Sequence, residues 1–125
     1  MTKVKVKVKL DKSKLKRLEK ASETALKLTA EAILADIITR QVVPFEEGEL
    51  SKSGDVVEAE GIYQIIFSTP YARRLYWHPE YNFRTDKNPN AEGKWMDHYL
   101  SGEGLEFVIT AYMTFFKQEA KGLIT

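Results

Sequence analysis

The strongest constraint in the sequence lies near its end. Leu105, Val108, Ile109, Tyr112, Met113 and Phe116 recur at i, i+3, i+4, i+7, i+8 and i+11. A period of about 3.6 residues brings those positions to one side, so the segment predicts an amphipathic helix whose stripe faces a core. Gly122 suits its C-terminal stop. Such a stripe is core rather than a ligand surface, and a second, longer helix lies near the start of the chain. Asp11 or Ser13 can cap it by accepting a bond from a free backbone N–H. It runs to about Arg40. Leu15 and Leu18 sit among charges in its first half. Leu26, Ala30, Ile33, Leu34, Ile37 and Ile38 make its second half apolar on more than one face, the pattern of a helix buried in a core or against another subunit. Val43 precedes Pro44, which disfavours helix there.

The middle of the chain changes character. Pro44 to Gly54 reads as a polar loop. Asp55–Ala59 and Ile62–Ser68 read as two strands joined by a turn at Glu60-Gly61. Pro70 ends the second strand, because proline has no N–H for the ladder. Tyr71 to Trp77 has room for two helical turns before Pro79. Residues 78–94, rich in Asn, Pro and Gly, predict a long, mobile polar loop, with Trp95 anchoring its return into the core. Helical character resumes from Trp95 to Leu100, and Ser101 to Gly104 forms a break. At the other end, Val4, Val6, Val8 and Leu10 alternate with Lys3, Lys5, Lys7 and Lys9, which predicts a half-buried strand with one lysine face. Together these elements predict one α+β domain over residues 1–125. A small antiparallel sheet packs against a long N-terminal helix and a C-terminal helix.

Composition narrows the function classes. The chain of 125 residues is 43% hydrophobic and 30% charged, values typical of a folded globular chain. Its net charge of +1 gives no general pull toward nucleic acid or membrane. The charge is unevenly placed, however. Residues 1–20 hold nine Lys/Arg against two Asp/Glu, and the remainder holds ten against sixteen. A basic start and an acidic remainder can attract one another between copies. Cysteine is absent, which excludes disulfides, thiolate metal sites and cysteine nucleophiles. No secretory signal pattern and no apolar run of membrane-spanning length is visible, so the expected place of synthesis and assembly is a cytoplasm.

Catalytic patterns are missing. His78 and His98 stand apart, without the spacing of metal ligands. Glu46, Glu47 and Glu49 crowd one turn beside Gly48, where acid–base work would need two carboxylates of separated pKa in a cleft. Ser51, Ser53 and Ser68 lack a nucleophile elbow, and no glycine motif cradles phosphate. The expectation is a protein without catalytic, metal or cofactor-binding residues. The informative cluster is aromatic and basic: Tyr71, Arg73, Arg74, Tyr76, Trp77, Tyr81, Phe83 and Arg84. Tyr, Trp and Arg are enriched where proteins bind proteins, and aromatics with arginines also hold single-stranded nucleic acid. Packing within the chain is the third use for such residues. The lysine row Lys3–Lys9 has two readings as well, a solvated face that discourages edge aggregation or a stripe for phosphate or a partner.

Three motifs in residues 44–95 resemble the minor capsid proteins of long-tailed phages and prophages of Gram-positive bacteria, relatives in pattern of head–tail joining and tail-completion proteins. The first is Pro44 followed by Gly48-Glu49-Leu50-Ser51-Lys52-Ser53. The second is Pro70-Tyr71-Ala72 at a strand end, with Arg73 and Tyr76 following. The third is Asn82-Phe83, then Lys87-Asn88-Pro89-Asn90-Ala91, closing on Gly93-Lys94-Trp95. The resemblance implies a non-enzymatic virion component in a ring between the portal of the filled head and the tail, assembled in the host cytoplasm. Its partners would be copies of itself, the portal and tail proteins, with contact to DNA in the channel as a further option and no membrane. In that setting Tyr71, Arg73, Arg74, Tyr76, Trp77, Tyr81, Phe83, Arg84, Lys87 and Asn88 are the expected interface. A small nucleic-acid-binding module using this cluster and Lys3, Lys5, Lys7 and Lys9 is the rival reading.

Overall fold

Asp11 starts the first helix. Its Oδ1 accepts from the backbone N–H of Ser13 at 2.9 Å and of Lys14 at 3.1 Å, satisfying two donors that a helix start leaves open. From this cap α1 runs Lys12–Thr39, about 42 Å at 1.5 Å per residue. The structure, a computed structural model, describes residues 11–44, 49–81, 83, 85 and 90–123, with Glu49 and Ser51 as backbone only. The predicted N-terminal strand at residues 3–10, with Lys3, Lys5, Lys7 and Lys9, therefore lies outside the described residues.

The order continues with α2 (Glu49–Lys52), β1 (Gly54–Ala59), β2 (Ile62–Phe67), α3 (Ala72–Trp77), a 3-10 turn (Asp97–Leu100) and α4 (Gly102–Glu119). The strands pair antiparallel from Gly54↔Phe67 to Ala59↔Ile62. Glu60 and Gly61 between them both hold positive φ, 53° and 80°, which is the backbone of a tight two-residue hairpin turn. The α+β plan expected from the sequence is the observed one. Two local readings change. The stretch expected as a polar loop contains α2, whose Leu50 is buried. The expected break at 101–104 shrinks, because α4 begins at Gly102.

The two long helices pack on each other, antiparallel. Ser22 Oγ and Tyr112 Oη share a hydrogen bond of 2.8 Å. At the other end, the Tyr99 hydroxyl just before α4 donates to Asp36 Oδ2. Ala21, Ala25 and Thr29 recur every four residues on α1 and are buried, so short side chains line a face open to close approach. Thr29 turns its hydroxyl back to the carbonyl of Ala25 at 2.6 Å, which leaves no free donor in that seam.

The stripe predicted for α4 is only partly core. Val108, Tyr112 and Phe116 are half-buried, whereas Ile109 is 54% exposed and Met113 44%, and Leu105 is exposed as well. The reason is geometric. At 100° per residue the apolar positions of α4 run from Phe107 through Val108, Ala111 and Phe115 round to Ile109 and Met113. That arc exceeds half the circumference, more than one neighbouring helix can cover.

A second, tighter core joins the remaining elements. Ile37, Val42, Val43, Leu50, Ala72, Trp95 and Tyr99 form one buried cluster drawn from α1, α2, α3 and the segment before α4. The 3-10 turn reaches α4 at Gly104. A Cβ there would stand 2.0 Å from the carbonyl oxygen of His98, so only glycine lets these backbones touch. Gly104→Ala is expected to destabilise the protein by about 1–3 kcal/mol through forced backbone shifts. Trp95→Ala should cost about 3–5 kcal/mol through the cavity it leaves. Urea unfolding followed by circular dichroism measures both, and unchanged midpoints would refute the packing described.

Candidate protein–protein interface

The aromatic–basic cluster is sorted by one short helix. Pro70 closes the strand, the N–H of Ala72 bonds to the Thr69 carbonyl at 3.2 Å, and that of Leu75 bonds to Tyr71 at 3.1 Å. In the α3 so started, Ala72 is buried and Leu75 and Tyr76 are half-buried, while Arg73, Arg74 and Trp77 are exposed. Helical spacing explains the split, since 72, 75 and 76 share one face and 73, 74 and 77 share the other.

Tyr76 ties the exposed side to the core. Its ring meets Trp95 edge-on at 4.8 Å and Trp77 edge-on at 5.1 Å. Its hydroxyl donates to Asp97 Oδ1 at 2.7 Å. Burial, then the bond to Asp97, push the phenol well above its ordinary value of 10.0, so it stays a donor at every physiological pH. Trp95, 1% exposed, also meets Phe67 of β2 edge-on at 5.6 Å. Its indole Nε1–H has no acceptor among the described residues. The N–H of Lys94 bonds to the Tyr76 carbonyl at 2.7 Å. This bond, with a left-handed backbone at Lys94 (φ 47°), sets the lysine Nζ 5.8 Å from the centre of the Trp77 ring, within cation–π range.

The result is an indole 58% exposed with three cations around it. On one side a groove of about 300 Å³ lies between β2 and α3, lined by Ile66, Phe67, Arg73, Trp77 and Trp95 among others. On the other, an open depression of about 470 Å³ is bounded by Pro70, Arg73, Arg74, Trp77 and His78. Beyond it, His78 Nδ1 and Glu80 Oε1 lie 2.7 Å apart. The His78 ring stacks on Tyr81 at 4.8 Å. The bond to His78 holds the Glu80 carboxyl below its usual range.

The expected interface residues thus fall into three groups. Arg73, Arg74, Trp77 and Tyr81 present themselves to solvent. Tyr71 and Tyr76 pack inward against the core cluster, and half-buried Phe83 meets Tyr81 at 6.4 Å. Arg84, Lys87 and Asn88 lie outside the described residues, as do Glu46 and Glu47. Lys94 entered the sequence reading only as part of the 78–94 loop and its closing motif, and Ile66 not at all as a site residue. Lys94 reaches Trp77 through a backbone turn that leaves no local pattern. Exposed Ile66 on β2, which lines the groove, read in the sequence as an ordinary strand residue. The described residues near the C-terminal end of the 78–94 segment are tied to the end of α1 and the residues after it. Asn90 Nδ2 donates to the Arg40 carbonyl at 2.9 Å, and the N–H of Glu92 donates to Val42 at 2.8 Å.

This surface has the make-up of a protein contact: a rigidly backed, half-exposed indole in the centre and arginines around it. Among the described residues no three acidic or imidazole groups converge to hold a metal ion, and no helix is long and apolar enough to cross a membrane. The sequence model of a family described as minor capsid protein matches residues 4–113. The chain belongs to the phage minor capsid protein family. No curated protein and no solved structure matches it. Membership makes this a structural protein of the phage particle, and the matched span includes the sheet, α3 and the Trp77 face.

Two measurements check this geometry in the minor capsid protein. Of its two tryptophans, Trp77 should carry nearly all the acrylamide-quenchable emission. Trp77→Phe should leave a blue-shifted, shielded signal, and a signal still fully quenchable would contradict the burial of Trp95. The second concerns alkaline pH. Tyr99, buried and bonded to Asp36, is pushed up to about 12, and Tyr76 is raised too. In the unfolded chain both ionise near 10, so the folded state keeps more protons above that pH. Their stabilisation is complete below pH 10 and is lost as pH rises further. Urea midpoints should fall above pH 10, and less steeply in Tyr76→Phe and Tyr99→Phe.

Proposed function

We propose that this minor capsid protein is a subunit of the phage head–tail junction, assembling as a ring that bridges the portal to the tail. The observation that carries the reading is the Trp77 face. It pairs a large exposed indole with Arg73, Arg74 and Lys94 on a base held rigid by Tyr76 and Trp95. A ring needs two different faces per subunit, because each copy meets the next head to tail. The Trp77 face and the exposed Leu105, Ile109 and Met113 flank of α4 are two such faces. The uneven charge also suits neighbour contact. The first turns of α1 expose Lys12, Lys14, Lys16 and Arg17, while Glu103 and Glu106 lie exposed at the start of α4. The protein acts in this reading without catalysis or cofactor, in the particle, after assembly in the host cytoplasm.

The test is negative-stain electron microscopy of the purified protein, alone and with the portal of its own phage. Rings, or added density at the portal exit, are expected. Arg74→Ala with Trp77→Ala should abolish them without unfolding the chain, and assembly by that double variant would refute the assignment. The same cations beside an indole favour a second reading as a nucleic-acid module. It predicts single-stranded DNA binding that falls steeply with salt, and no shift at low salt would remove it.

A further inference from the structure

The sheet of this protein is unfinished among the described residues. β2 pairs with β1 on one edge, and no described strand takes the other. Two strands alone are marginally stable, and an open edge offers a row of N–H and C=O groups to an incoming chain. The 300 Å³ groove follows that edge. Ile65, Ile66 and Phe67 all line it. Successive strand side chains point to opposite faces, so three in a row mark a groove running along the edge rather than over one face. Arg73, Tyr76 and Trp77 of α3 form its other wall.

The charged side chains around the groove are mostly cationic: Arg73 lines it, against Asp97, whose carboxylate accepts from the Tyr76 hydroxyl of its wall. Arg73 and Arg74 are exposed beside Trp77, and Lys94 lies over the Trp77 ring. Among the described residues the ion pair present is His78 with Glu80, and no carboxylate pairs with these three cations. We propose that the groove takes an extended, acidic segment of a partner protein, added as a third strand to the outer edge of β2 with an apolar side chain against Trp77. Strand addition supplies affinity through main-chain bonds and specificity through alternate side chains. The chain's own remaining strand candidate carries Lys3, Lys5, Lys7 and Lys9 and has the wrong sign for this rim. Nucleic acid would answer the cations but not the strand edge or the apolar walls. The proposal rests on the interface reading above and names the partner's chemistry.

The experiment is fluorescence anisotropy on the full chain with a labelled octapeptide that alternates valine and glutamate. Three comparison probes are the lysine-for-glutamate peptide, the glutamate peptide N-methylated at alternate amides, and oligo-dT. The glutamate peptide is expected to bind and to blue-shift Trp77 emission. Both altered peptides should bind at least about tenfold more weakly, as should Trp77→Ala toward the parent peptide. Equal binding of the N-methylated peptide overturns strand addition, and equal binding of the lysine peptide overturns the acidic partner. Oligo-dT binding more tightly than the peptide, or no peptide binding at all, overturns the proposal. If rings still form on the portal in that last case, the junction reading stands while this inference falls.

Discussion

Trp95 is the point through which the parts of this molecule hold one another. It follows the polar 78–94 stretch of the sequence, yet it is nearly fully buried, with Phe67 of β2 and Tyr76 of α3 edge-on against it. Tyr99, four residues on, carries the chain to Asp36 on α1. One indole thus couples the hairpin, the short helix and the start of α4 to the same core cluster. Aromatic pairs at right angles add to the area they bury, and here they also set direction. Tyr76 is gripped on one side by Trp95 and on the other supports Trp77. The exposed indole of the candidate interface is therefore backed by the largest of the fully buried side chains.

Much of this plan was legible in the sequence. Asp11 or Ser13 marked the start of α1, of which Asp11 is the cap, Val43-Pro44 marked its limit, and Glu60-Gly61 marked the hairpin, because each acts through local backbone chemistry. What failed depended on neighbours. The α4 stripe has the right period, but which part of a wide apolar arc is covered is decided by the single helix beside it. Leu50 sits in a helix of four residues, too short to show a period. At the site, the density of Tyr, Trp and Arg drew attention to residues 71–84. Which side chains face out depended on the phase of α3, and Lys94 joins only through its bond to Tyr76 and a left-handed turn.

The same physics bears on what a minor capsid protein needs. A subunit of a particle must be stable before assembly and yet keep surfaces in reserve. This chain separates the two demands. Its tight core lies around Trp95, whereas exposed apolar side chains remain on the α4 flank and along β2. Exposed apolar flanks are costly in a protein that stays alone and are useful in one that is covered by neighbours. In the proposed ring the basic first turns of α1 would add a long-range attraction that salt weakens.

The central claim is that the Trp77 face meets a neighbouring protein in the particle. Its most direct test places a photo-crosslinking amino acid at position 77 in phage carrying this chain, with position 27 on exposed α1 as the control. The account predicts a crosslink from position 77 to another virion subunit in intact particles and none, or a weaker one, from position 27. Particles that incorporate the substituted chain and yield no crosslink at position 77 would contradict it.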